Sequence, residues 1–200
     1  MLIVASIETF RLSIAMSDTA EFESHYRTLP DDELGWIAMN KAATLLPEAL
    51  QALHSELDRR GLSKSIERGI QAQTRQWTQA ELAAFVDQYR RGACPRCGVQ
   101  GTMLNAVIAA VARSFVIVSS YQTKLVIGCS PCLRAEVDRL NRQSLLLGWW
   151  GIPWGPIYTI RALHANSQAK DGAESAAPTP ALIRYVASNI GEVATDMASR

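Results

Sequence analysis

The sequence has few of the residues and motifs that mark common enzymes. It contains only three histidines in 200 residues, and His25, His54 and His164 lie in three separate segments. It has no G-x-S-x-G nucleophile motif, no glycine-rich phosphate loop and no H-E-x-x-H motif. No internal repeat is present. We therefore expect a protein that is not an enzyme, and nothing in the sequence indicates a small-molecule substrate.

Acidic residues are scarce in the middle of the chain. Residues 91–170 carry nine Lys or Arg side chains and only two acidic ones, Glu136 and Asp138, whereas residues 16–90 carry eight basic and twelve acidic residues. Two interpretations are open. The basic and acidic parts attract each other within one molecule, or the basic part meets an anion such as a nucleic acid or a lipid head group.

The N-terminal segment lacks the positive start of an export signal. Residues 1–15 are apolar but are interrupted by Glu8 and Arg11. Either Met1 or Met16 can begin the native chain, and residues 1–15 are then an extension. Without an export signal we expect a cytoplasmic protein, and paired thiols in that compartment more often hold a metal than form a disulfide.

The apolar periodicity predicts an α+β fold with a helical N-terminal part. Pro47 begins a helix that ends at Gly61, and Thr78-x-x-Glu81 is a capping box that opens another. We predict five segments, in chain order: an extension of residues 1–15, a small helical bundle of residues 16–92, a zinc-ribbon-like β module with a tryptophan-rich part over residues 93–166, a linker of residues 167–179 and a C-terminal amphipathic helix of residues 180–200.

A β-hairpin is predicted inside the third segment. Ser114–Ser119 and Lys124–Gly128 are rich in Val, Ile, Phe and Leu, which favour strands, and the serines at 119 and 120 are typical of a turn between them. Met103–Ala112 fits either a further strand or a short helix.

Two C-x-x-C pairs carry the clearest chemical signal. Cys94 and Cys97 form the first pair and Cys129 and Cys132 the second, and together they are all the cysteines of the chain. Two such turns facing each other supply four soft ligands in a tetrahedron, which suits zinc. A redox or disulfide pair and an iron site are the alternatives. Four thiolates leave no open coordination position, so we expect one structural zinc ion and no catalytic role for it.

A tryptophan-rich segment follows the second pair. Residues 143–160 carry no charge, contain Trp149, Trp150 and Trp154, and are flanked by Arg142 and Arg161. The segment is expected to be an apolar lid packed on the zinc module. The alternatives are insertion into a membrane interface, with the arginines as anchors, and a membrane span, which its glycines and prolines disfavour.

The same residues carry a family resemblance. The C-P-x-C-G pair, the apolar stretch, the second C-x-x-C pair and L-L-L-G-W-W-G-I-P-W-G-P-I-Y-T at residues 145–159 resemble a group of mostly bacterial, largely uncharacterised zinc-ribbon proteins with a GWWG-x-PWG motif. The resemblance covers residues 94–166, and the helical segment Asp32–Leu62 resembles a module often placed ahead of such regions. It implies a zinc site at the four cysteines and little about activity.

Two binding functions are predicted from these features. The first is a zinc-stabilised protein that binds another protein of unknown identity, as an adaptor, an inhibitor or an immunity-type binder. The alternative is a protein that uses its basic zinc module and its tryptophans on an anionic surface, with a cytoplasmic membrane face favoured over nucleic acid. Residues that could touch phosphates are Arg91, Arg96, Arg113, Lys124, Arg134 and Arg139.

Overall fold

The computed structural model of the chain describes residues 19–115 and 118–199 and shows a mixed α+β protein. Its described elements are, in chain order, α1 (residues 19–28), α2 (Asp31–Asn40), a 3₁₀ turn (Ala42–Thr44), α3 (Pro47–Arg59), α4 (Ser63–Thr74), α5 (Gln79–Arg90), β1 (Leu104–Phe115), β2 (Val118–Cys129), α6 (Ser130–Leu147), α7 (Trp154–Glu174), α8 (Pro180–Ser188) and α9 (Ile190–Ser199). They form two compact units. The first holds the described residues up to Trp77 together with residues 189–199, and the second is Thr78–Ser188.

The first unit is a helical bundle around a leucine-rich core. Leu34, Leu53 and Leu57 are fully buried there. Helix α9 packs against α4, and Gly69 makes this approach possible, because a Cβ atom at that position would lie 2.7 Å from the Gly191 carbonyl oxygen. The bundle therefore combines α9 with the helices that precede Trp77.

A buried carboxylate and an arginine join α3 to the end of α1. Glu56 is almost fully buried, and its Oε1 accepts from Arg60 at 2.6 Å. The other guanidinium N–H groups of Arg60 donate to Asp31 and to the carbonyls of Tyr26, Arg27 and Leu29. These carbonyls lie at the C-terminal end of α1, where the helix leaves acceptors unpaired. Arg60 thus caps one helix from another.

The second unit is built on a long antiparallel hairpin. Strands β1 and β2 pair from Leu104 opposite Cys129 to Phe115 opposite Val118. Helix α6 packs on the face that carries Val107 and Val126, where Ala169 and Ala173 of α7 join the same core, and Ala162 of α7 packs on Ala110 and Ala112 of the other face. The two helices also contact each other, so β1 is buried while most of β2 from Val118 to Leu125 stays exposed or half-buried.

Side chains cover the edge of β1 that β2 leaves open. Asn166 of α7 bonds both backbone groups of Ala110, Ser144 of α6 accepts from the Ala112 N–H, and Thr179 donates to the Ala106 carbonyl. These substitutes for a third strand satisfy buried backbone groups that would otherwise be costly. Within residues 19–115 and 118–199, the hairpin is therefore covered at the edge of β1 and not at the edge of β2.

The structure differs from the predicted segment boundaries in three places. Residues 167–174, predicted as linker, continue α7, because Ala169 and Ala173 bury their side chains against the hairpin layer. Helix α5 belongs to the unit of the cysteines, not to the bundle. The predicted C-terminal helix is two helices, α8 and α9, which belong to different units. The extension of residues 1–15 lies outside the described residues.

The predicted hairpin exists, and its predicted strand Lys124–Gly128 lies within β2, but the predicted strand Ser114–Ser119 does not form one strand, because Ser114 lies in β1 and Ser119 in β2. Strand β1 begins at Leu104, so the undecided stretch Met103–Ala112 is mostly strand. The serines at 119 and 120, interpreted as turn residues, lie within β2. Strand pairing continues through them because Ser119 and Ser120 face Ser114 and Arg113 across the ladder.

Candidate metal centre

The four cysteines meet at the open end of the hairpin. Cys94 and Cys97 lie in the loop between α5 and β1. Cys129 is the last residue of β2 and also the N-cap of α6, and Cys132 is in the first turn of that helix. The register that pairs Leu104 with Cys129 brings the loop before β1 next to the end of β2. Folding of the hairpin therefore assembles the site.

The four sulfur atoms lie close enough together to hold one metal ion. All four lie within 4.8 Å of one another, and the Sγ atoms of Cys97 and Cys129 are 3.7 Å apart. With a Zn–S bond of about 2.3 Å, a regular tetrahedron places its sulfurs about 3.8 Å apart. None of the four is in a disulfide. The cluster is therefore compact enough to hold a metal ion.

The loop of the first pair is a tight turn closed by backbone hydrogen bonds. The Cys94 N–H donates to the Val99 carbonyl at 3.0 Å, and the Gly98 N–H donates to the Cys94 carbonyl at 2.8 Å. Gly98 has a φ of 72°, in the left-handed region that glycine adopts without steric cost. Glycine at this position therefore suits the turn that closes the first pair.

The surroundings of the cluster lower the pKa of one cysteine and raise the pKa of two others. Burial opposes ionisation of Cys94, but the N–H groups of Cys129, Arg96 and Cys97 donate to its sulfur and lower its pKa to about 6. Burial, together with the neighbouring sulfurs of Cys129 and Cys97, raises the pKa of Cys132 to about 12. Burial likewise raises the pKa of Cys129. Four thiolates at this spacing need a cation among them.

Three residues that the sequence did not assign to the site support the cluster: Arg96, Gly128 and Glu136. Arg96 lies between the ligands of the first pair and donates to Glu136 of α6 at 2.9 Å. A Cβ atom at Gly128 would lie 3.5 Å from the Cys94 sulfur and 3.4 Å from the Cys132 Cβ, so glycine leaves room for the sulfurs. A signal for Glu136 existed, since it is one of two acidic residues in the basic segment.

Much of the basic charge near the cysteines is already paired. Arg139, and after it Arg96 and Lys124, hold the pKa of the buried Glu136 carboxyl at about 2. Arg134 pairs with Glu174 at 2.6 Å. Four of the six residues predicted to touch phosphates therefore already have an acidic partner inside their own unit.

The tryptophans lie away from the cysteines. Gly151 packs against Ser114 and Ser119, next to the last residue pair of the hairpin, whereas the cysteines lie at its first pair. The twelve residues of a strand separate these ends by about 35 Å. Trp149, Trp150 and Trp154 are 41%, 70% and 56% exposed. The predicted lid on the zinc module is thus wrong, because these side chains face solvent at the far end of the hairpin.

The flanking arginines differ in their surroundings. Arg161 is exposed, and its guanidinium carbon lies 4.9 Å from the ring centre of Tyr121. Arg142 is exposed on α6, and its charge acts on Asp138 one turn earlier. Among the described residues no helix is long and apolar enough to cross a membrane.

No family model, no curated protein and no solved structure matches the chain. The resemblance to zinc-ribbon proteins with a GWWG-x-PWG motif therefore stays a prediction.

Proposed function

We propose that the cysteine cluster binds one structural zinc ion and holds a zinc-ribbon-like module in a non-enzymatic binding protein. Four soft thiolate donors within 4.8 Å of one another suit zinc. They fill its coordination shell, so the ion would close the hairpin and orient α6 without meeting a substrate. The cytoplasmic location expected from the sequence fits free thiols that hold a metal.

The binding surface of this proposal is the apolar end of the second unit. We use this name for the exposed apolar side chains where the hairpin, the end of α6 and the start of α7 meet: Phe115, Val118, Leu146, Trp149, Trp150, Ile152 and Trp154. Their exposed fractions run from 41% to 87%. Together they expose on the order of several hundred Å² of apolar surface, which in soluble proteins marks an interaction site. This exposure is the observation that carries the proposal.

A photo-crosslinking experiment in the native host tests the binding surface. Benzoylphenylalanine would replace Ile152, which is 87% exposed, or Trp36, which is 51% exposed in the other unit. Ultraviolet light then joins the reactive ring to whatever contacts it. We expect adducts from position 152 well above those from position 36. Equal or absent adducts at the two positions would contradict a binding function for the apolar end.

The open edge of β2 favours a second candidate, binding of a protein in an extended conformation. The outward N–H groups of β1 belong to even-numbered residues such as Ala110 and Ala112. Their cross-strand partners are Thr123 and Tyr121, so the odd residues of β2 point their backbone groups to the opposite edge. No hydrogen bond from the described chain reaches Thr123 or Leu125 there. An unpaired edge of this kind accepts an added strand.

Proline substitution separates this candidate from the first. Thr123→Pro removes an outward N–H and leaves the ladder between β1 and β2 intact. If a protein partner adds a strand, this variant loses the partner while the Ile152 adducts persist. Retention of every partner by Thr123→Pro would count against strand addition.

A further inference from the structure

The apolar end combines three properties that together specify its occupant. Its side chains come from separate elements and line an open cavity of about 510 Å³, bounded by Phe115, Leu147, Trp150 and Ile152. A surface assembled from a strand, two helices and a loop is present in the folded unit without any ordering step. Binding therefore does not have to supply the free energy of folding this surface.

The tryptophans have the polarity that a bilayer interface selects. Trp150 donates its indole N–H to the Leu146 carbonyl at 2.9 Å, within the patch. Among the described residues, nothing accepts from the indole N–H of Trp149 or Trp154. An exposed ring with a free donor suits the head-group level of a membrane, where the ring contacts acyl chains and the N–H contacts polar groups.

The charge around the apolar end has one sign. Arg113 lies beside Phe115 and Val118 and forms no ion pair within the described chain. Arg161 is exposed on the first turns of α7. The sequence has no Asp or Glu at residues 88–135 or 139–170, and Glu136 is held by cations at the cysteine end. An anionic surface is the complementary partner.

A second copy of the chain fits this surface less well than a lipid does. Two apolar ends placed face to face would bring the Arg113 and Arg161 side chains of both copies together without an acidic partner. Like charges in an interface oppose association. An anionic bilayer offers a phosphate group to each arginine, and its head-group region offers both apolar and polar contacts to each tryptophan.

We infer that the apolar end inserts into the interface of an anionic lipid bilayer, with Trp149, Trp150, Ile152 and Trp154 at the depth of the head groups and Arg113 and Arg161 on lipid phosphates. This inference rests on the proposed function, since it names the partner of the same surface. Insertion of side chains alone reaches about 5–10 Å into the bilayer, so no part of the chain has to cross it.

Vesicle flotation tests the inference with purified full-length protein. The vesicles contain equal parts phosphatidylcholine and phosphatidylglycerol, or phosphatidylcholine alone. We expect the wild type to float with the mixed vesicles and much less with the neutral ones. The double variant Trp150→Ser/Ile152→Ser should bind the mixed vesicles at least about tenfold more weakly than the wild type, because it removes two large exposed apolar groups.

Matched variants control for fold and for unspecific charge. Trp36→Ser removes an exposed tryptophan from the other unit and should float like the wild type. Arg113→Gln should weaken binding severalfold on mixed vesicles only, whereas Arg91→Gln, also exposed, should not. Circular dichroism and metal content would show that each variant is folded.

Each other outcome has a defined meaning. Failure of the wild type to float with mixed vesicles, or equal flotation of the double variant, would overturn the lipid inference. A dimer in analytical ultracentrifugation that the double variant abolishes would assign the surface to a second copy. In the crosslinking experiment, adducts from position 152 to protein alone would overturn the lipid partner but keep the binding function, while no adduct would remove both.

Discussion

The side chain of Asn166 in α7 makes the two hydrogen bonds to Ala110 of β1 that a neighbouring strand would make. Its Oδ1 accepts from the Ala110 N–H at 2.7 Å, and its Nδ2 donates to the Ala110 carbonyl at 2.8 Å. The same Nδ2 donates to the Asn141 side chain. Asn166 is fully buried, so no water can take over these bonds. One side chain thereby ties α6 and α7 to the closed edge of the hairpin.

Asn166→Leu should destabilise the second unit strongly. The variant leaves a buried N–H and a buried carbonyl without partners, at a cost of about 1–3 kcal/mol each. Urea unfolding would measure the loss. Gln168→Ala, an exposed change one half-turn further along α7, should stay within about 0.5 kcal/mol of the wild type. A loss for Asn166→Leu as small as that of this control would show that the edge is not closed as described.

Gly128→Val should weaken metal binding while leaving the four ligands in place. The valine side chain would crowd the Cys94 sulfur, the Cys132 Cβ and the Arg96 side chain. Displacement of groups that orient metal ligands commonly lowers affinity about 10- to 100-fold. Chelator competition would measure this, with Gly128→Ala intermediate. Ser130→Ala, between the ligands of the second pair, serves as the control and should bind like the wild type.

Stability should fall in acid partly through Glu56. Hydrogen bonds from Arg59, and after them those from Arg60, hold the pKa of Glu56 at about 2 against an ordinary value of 4.5, despite its burial. A lowered pKa in the folded state gives stability that is present above about pH 4.5 and is lost as the pH falls toward 2.

Unfolding of wild type and Glu56→Gln from pH 6 to pH 2.5 would test this assignment. The wild type should be more stable at pH 6 by about 1–3 kcal/mol, because the Glu56 carboxylate accepts charged hydrogen bonds from Arg59 and Arg60. The difference should shrink as the pH falls. The metal centre is common to both proteins and cancels in the difference. A difference that does not change with pH would reject the role assigned to the Glu56 charge.

Prolines at two adjacent positions of β2 should destabilise the protein to different extents. Gln122 pairs with Val111 at a position where both residues turn their backbone groups into the ladder. Gln122→Pro therefore breaks a hydrogen bond between the strands and should lower the melting temperature clearly. Thr123→Pro removes an outward N–H and should cost much less. Thermal melting of the two variants compares them directly, and the reverse order would show that the edge assignment is wrong.

The sequence predicted features that depend on neighbours in the chain. The capping box of Thr78 and Glu81 forms, α3 begins at Pro47, and Gly61 has a φ of 72° just after that helix. Thr179 accepts from the Leu182 N–H at the start of α8, as expected for a cap. The cysteine cluster was also predicted, because each C-x-x-C turn brings two sulfurs together locally.

Features that depend on distant residues were not predicted. The linker interpretation of residues 167–174 failed because Ala169 and Ala173 bury their side chains in the core of the second unit, and composition does not reveal that packing. The prediction of a turn at Ser119 and Ser120 was wrong, because serines favour turns locally, whereas these two continue a twelve-residue strand. The contact of Asn166 with the edge of β1 and the contact of Arg60 with the end of α1 join residues 56 and 31 positions apart in the chain. Contacts of this kind leave no periodic pattern in the sequence.

The most direct test of the account is the metal content of protein purified without a metal-affinity tag, measured by elemental analysis and followed by melting with and without a chelator. We predict about one zinc ion per chain and a lower melting temperature once the ion is removed, because the four thiolates close the hairpin around it. Protein without metal whose cysteines are oxidised to disulfides, or protein that contains iron in place of zinc, would contradict the account.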